Sequence, residues 1–148
     1  MFLQLVEGAL LVASTVAIHS VVLAWIMVRL EHRPNAAVAS FIRDALLLSR
    51  IAVWCVLAHL AEIVLWGGYY VWREAIPDLE LSFYFSAVTY ATIGYGDVVP
   101  PENWRLIASM EGLTGILMCA WSGGFFFAVA TRLYDLGMKP RAGVSGAR

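Results

Sequence analysis

The sequence predicts an all-α transmembrane fold with three spanning helices, and three observations carry that prediction. Of its 148 residues 61% are hydrophobic, and the mean hydropathy is +0.75, whereas soluble domains are roughly half apolar. The apolar residues gather in three runs, 2–30, 46–70 and 102–136, each long enough for the roughly 20 residues a helix needs to cross a bilayer. Basic residues concentrate between the first two runs (Arg29, Arg33, Arg43, Arg50) and after the third (Arg132, Lys139, Arg141, Arg148), the asymmetry that sets which side of a membrane a loop occupies. A net charge of −1 and a pI near 6.3 exclude a general attraction to nucleic acid.

The first run is interrupted only by Gln4, Glu7 and His19. A cleaved leader would carry basic residues ahead of a shorter apolar core; here Glu7 precedes the core and Arg29, Glu31, His32 and Arg33 follow it, so residues 1–33 read as a retained N-terminal transmembrane helix. Pro34-Asn35 ends it, because proline has no amide donor and restricts its predecessor. Residues 34–45 read as a cytoplasmic interfacial connection. The second span, 46–70, is interrupted by His59 and Glu62 and closes on Trp66, Tyr69, Tyr70 and Trp72, an aromatic cluster of the kind found at membrane–water interfaces.

Residues 73–80 form a polar connection with Glu74, Asp78 and Glu80, residues 81–91 a short apolar helix, and Pro100-Pro101 a turn into the third span. At about 1.5 Å per residue that span exceeds the hydrocarbon core. Residues 137–148 read as a disordered cytoplasmic tail too short for a soluble regulatory domain. By the positive-inside rule both basic clusters are cytoplasmic, which places the N-terminus outside. Cys55 and Cys119 sit in apolar runs without metal-ligand spacing or a partner motif, and read as small core or wall residues.

One stretch asks the backbone itself to do chemistry: Thr92-Ile93-Gly94-Tyr95-Gly96-Asp97. Two glycines separated by one residue allow φ values that side chains forbid, so that successive carbonyls can face one side. With the preceding short helix and Val98-Val99-Pro100 behind it, the stretch resembles the potassium-channel selectivity filter. Residues 46–136 as a whole resemble the two-transmembrane pore module of small prokaryotic-type potassium channels, preceded here by an extra helix. The resemblance implies a re-entrant pore helix and filter dipping from the outer face, and a homotetramer in the cell (plasma or inner) membrane. It also implies passive transport of K+ ions coordinated by Thr92, Ile93, Gly94, Tyr95 and Gly96, rather than enzymatic chemistry. One filter copy per chain cannot surround an ion, so an assembly is required. The rival readings are a weakly selective cation channel and a non-conducting adaptor subunit.

The resemblance places Val88 and Thr89 behind the filter, Asp97 at its mouth with Tyr84 in reach, and Gly115 at the hinge of the inner helix. The sequence departs from the family pattern at Phe85, which cannot donate to Tyr95, and at Val88, where a carboxylate is common. On the third span Gly112, Ile116, Cys119, Gly123 and Phe127 recur at three- and four-residue spacing and form one candidate cavity-lining stripe. Gly115 has an alternative reading as a close-packing contact. Finally His59, Glu62 and Glu111 are ionisable inside apparent spans and so are functional candidates; their depths predict one buried polar layer behind the pore helix.

Overall fold

The computed structural model describes residues 2–31 and 41–138. Four α-helices, α1 (Phe2–Glu31), α2 (Phe41–Trp72), α3 (Leu79–Tyr90) and α4 (Arg105–Met138), are joined by turns and one 3-10 turn over Glu102–Trp104, and no strand occurs among the described residues. Three helices are long and apolar enough to span a bilayer, over Leu3–Leu30, Ile42–Trp72 and Glu102–Asp135. The chain is thus a multi-pass, all-α membrane protein. Pro34-Asn35, the rest of 34–40 and the tail from 139 onward lie outside the described residues. From Phe41 on, the expected interfacial connection is continuous with α2.

Each long helix buries one narrow face. In α1 the buried positions are Gly8, Leu11, Thr15, His19, Leu23 and Ile26; in α2 they include Leu47, Ile51, Cys55, Ala58, Glu62 and Trp66; in α4, Ile107, Glu111, Thr114, Met118 and Ser122. The three- and four-residue spacing is that of a single helical stripe. Large apolar side chains such as Leu10, Val53 and Leu113 point outward, as a lipid solvent permits. Association between such helices rests on close packing and interhelical hydrogen bonds rather than on a hydrophobic driving force.

Polar contacts fix how the helices run. Gln4 Nε2 donates to the carbonyl of Asn103 (2.8 Å), Tyr69 Oη donates to Glu7 (2.7 Å), and Arg73 pairs with Glu7 (3.4 Å) while its guanidinium lies over Trp72 and Trp104. The start of α1 therefore sits beside the end of α2 and the start of α4: α1 runs antiparallel to α2 and parallel to α4. A core around Trp66, Tyr70, Phe85, Tyr90, Ile107 and Met118 occupies this end, and a second around Leu23, Ile26, Leu47 and Ile51, with Phe125 and Phe126 against it, occupies the other. The short helix α3 packs against α2 and α4. It begins at Leu79 because Asp78, extended at ψ 125°, caps it, its Oδ1 accepting the Leu81 N–H at 2.8 Å.

Candidate functional site

The segment after α3 has an unusual backbone. φ is positive at Thr92 (58°), Gly94 (55°) and Gly96 (77°), alternating with the intervening Ile93 and Tyr95. A β-branched residue in this left-handed region is an outlier that costs on the order of 1–3 kcal/mol, and such residues persist where surrounding structure holds them. Here the end of the short helix does so. The Thr92 N–H donates to the Thr89 carbonyl (2.9 Å), while Ile93 and Gly94 both donate to the Val88 carbonyl (2.8 and 3.0 Å). In a planar trans peptide C=O and N–H are antiparallel. The carbonyls of Ala91, Thr92 and Ile93 therefore point away from α3.

Among the described residues nothing buries the segment: residues 91–97 are all exposed, Ile93 and Tyr95 by 53% and 69%. Val88 is buried behind it and Thr89 is half-buried, and the open cleft lined by Phe85, Thr89, Thr92, Gly94 and Gly112 separates the segment from α4. At the far end of the segment, Tyr84 Oη donates to Asp97 Oδ2 at 2.7 Å and the Val98 N–H to Asp97 Oδ1 at 3.1 Å. The Tyr84 bond, first, and the backbone donors hold the Asp97 carboxyl below its ordinary value, and the same bond raises the Tyr84 hydroxyl. Phe85 packs instead against Tyr70, ring centroids 5.3 Å apart.

Behind α3 lie the ionisable residues of the spans, and they form two sites rather than one layer. Glu111 accepts hydrogen bonds from Tyr70 Oη (2.8 Å) and from Ser86 Oγ, which also contacts the Ile63 carbonyl. About one helical turn further along α3, Tyr90 Oη donates to Glu62, whose other oxygen lies 2.9 Å from His19 Nδ1. His59 completes this second group, with Nδ1 3.0 Å from Tyr90 Oη and 3.6 Å from Glu62. Ser122 Oγ sits between the Nε2 atoms of His19 and His59, at 3.0 and 3.2 Å. Glu62 and Glu111 are separated because each meets a different hydroxyl of α3, Tyr90 in one case and Ser86 in the other.

The stripe on α4 falls on its unpacked side. Ile116, Cys119, Gly123 and Phe127 are exposed, Phe127 by 72%, and Gly112 is half-buried. Gly115 faces the other way, into the protein. A Cβ there would lie 2.0 Å from the Tyr90 carbonyl oxygen, so glycine is what lets α4 approach the C-terminus of α3, and α4 passes through it as continuous helix.

The sequence reading did not assign His19, Ser122, Tyr70, Ser86 or Tyr90 to these sites. A signal for His19 was present, since it falls on the same three- and four-residue register as Leu11, Thr15 and Leu23. Ser122 and Ser86 carried none beyond being small and polar within apolar runs.

No curated protein and no solved structure matches the chain. A family model described as "Ion channel" matches residues 53–132, from the middle of α2 through most of α4 and so across the whole of α3 and the segment behind it. With over half of its residues matched, the chain belongs to the ion channel family.

Proposed function

We propose that this ion channel is selective for potassium and that Thr92, Ile93, Gly94, Tyr95 and Gly96 form its filter, four copies surrounding one conduction axis. The observation that carries this reading is the alternation of φ from Thr92 to Gly96 together with the three N–H groups turned back onto Val88 and Thr89. A backbone whose N–H groups are bound on one side offers its carbonyls on the other, where they replace the water shell of a cation. The negative end of the α3 dipole lies just behind Thr92 and favours positive charge there. The exposed Ile93 and Tyr95 side chains are what neighbouring chains would cover. Conduction is passive, with the exposed face of Gly112, Ile116, Cys119, Gly123 and Phe127 lining the path below the filter and the N-terminus on the outer side. Gly115 acts as a packing contact rather than a hinge.

Gly96→Ala tests the filter assignment. A Cβ at Gly96 meets no atom of its own chain, so its effect comes from the backbone, where a left-handed residue costs about 1–2 kcal/mol without glycine. Liposomes containing the wild-type protein should release potassium, and those containing Gly96→Ala should not or should lose discrimination. Unchanged selective flux through Gly96→Ala places the filter elsewhere.

A further inference from the structure

His19, His59 and Glu62 converge from two helices on one point inside the bundle. His19 and Glu62 are fully buried, and the His59 side chain is 18% exposed. Both rings turn Nδ1 to the same carboxylate, at 2.9 and 3.6 Å, and one ligand atom from each of the three lies within 4.8 Å of the others. Ligands held at about 2.1 Å around a tetrahedral ion are about 3.4 Å apart, close to these separations of His19 from Oε1 and His59 from Oε2 of the carboxylate.

The surrounding hydrogen bonds point the same way. Tyr90 gives its hydrogen to Glu62, so with no cation His59 Nδ1 donates to the Tyr90 oxygen and His19 Nδ1 donates to Glu62. Each neutral ring then has only an acceptor at Nε2. Both of those acceptors face Ser122 Oγ, which has a single hydrogen. One of the two Nε2 atoms is then left without a hydrogen from Ser122. A cation on the two Nδ1 atoms reverses the tautomers: both Nε2 atoms carry hydrogen, and the two lone pairs of Ser122 accept both. Tyr90 then anchors the carboxylate oxygen, and Ser122 anchors both imidazoles, as partners outside a metal's ligands usually do.

We propose that His19, His59 and Glu62 bind a divalent transition-metal ion of the zinc class. Two imidazoles and one carboxylate suit zinc and its neighbours, whereas calcium and magnesium prefer all-oxygen sites. The ion joins α1 to α2 directly, and through Ser122 and Tyr90 to α4 and to the end of α3 two residues before Thr92. It thereby locks the first helix, which lies outside the matched family region, onto the pore module. The site does not depend on which ion the channel conducts.

The test uses the full-length, tag-free protein in detergent, loaded with zinc, stripped over a chelating resin and analysed for metal. The expected result is one zinc per chain, falling by roughly tenfold or more in His19→Gln and in His59→Gln. These variants retain hydrogen-bonding side chains, and size-exclusion chromatography checks their assembly. Cobalt loading of the wild type provides a second measurement that needs no variant at the site: it should give the intense visible bands of four-coordinate cobalt, unchanged in the Cys55→Ser, Cys119→Ser double variant. Wild-type protein that retains no zinc overturns the proposal and leaves an extra proton, making one imidazolium, as what satisfies Ser122. Zinc retained equally by the glutamine variants, or cobalt bands abolished by the cysteine substitutions, overturns it as well.

Discussion

Asp97 and Tyr84 tie the mouth of the candidate filter to α3 through one hydrogen bond. Because Tyr84 lowers the Asp97 pKa from 3.8, the stabilisation from this contact is fully present above that value and is lost only as pH falls from it through the depressed one. Between about pH 5 and 8 the contact contributes no pH dependence of its own. Single-channel recording with the outer pH varied should show Tyr84→Phe and Asp97→Ala both altering channel behaviour at neutral pH, since Tyr84→Phe removes the donor and Asp97→Ala the acceptor of the same bond. A wild-type response to outer acidification near pH 6 that Asp97→Asn removes would contradict this. The backbone requirement of Gly94 and Gly96 is legible in the sequence because only glycine takes positive φ without strain. The same value at Thr92 is not legible: its residue type argues against that conformation, and the bonds that impose it come from Val88 and Thr89 in the preceding helix.

At the scale of helices, α3 is held from behind by hydroxyl–carboxylate contacts with α2 and α4. Glu111 accepts from Tyr70 of α2 and Ser86 of α3 at once, so Glu111→Ala strands the buried Tyr70 hydroxyl, while Ser86 can give its hydrogen to the Ile63 carbonyl instead. The expected destabilisation is about 1–3 kcal/mol, read as a lower melting temperature of the detergent-solubilised protein. Tyr70→Phe combined with Glu111→Ala should cost less than the sum of the two single changes, as residues in one network do; strict additivity would show that the contact is not formed. The spans were legible because the bilayer demands long apolar runs. The partners of the buried polar residues were not. Whether Glu62 and Glu111 share a site depends on the rotation and relative height of α2, α3 and α4, and a spacing along one helix does not contain those quantities. Within α2 alone, the spacing of His59 and Glu62 did place them on one face.

For the whole molecule, the contacts of Gln4 with Asn103 and of Glu7 with Arg73 put the start of α1 at the same end as the connections flanking α3. We propose, from the basic clusters and the positive-inside rule, that this end faces outside. In a background without the native cysteines, cysteines at Gln4 and Glu80 should react with an impermeant reagent added outside, and one at Ser145 only after permeabilisation; labelling of Gln4 from inside would invert the orientation. The isolated chain leaves Tyr95 exposed and cannot encircle an ion, so the selectivity proposed above requires an assembly of several chains. The direct test of the account is the reversal potential of the reconstituted protein in a planar bilayer with potassium on one side and sodium on the other. The account predicts a large displacement from zero, in the sense of potassium leaving its side, and its loss in Gly96→Ala. A wild-type reversal potential at zero, with current flowing equally in both directions, would contradict it.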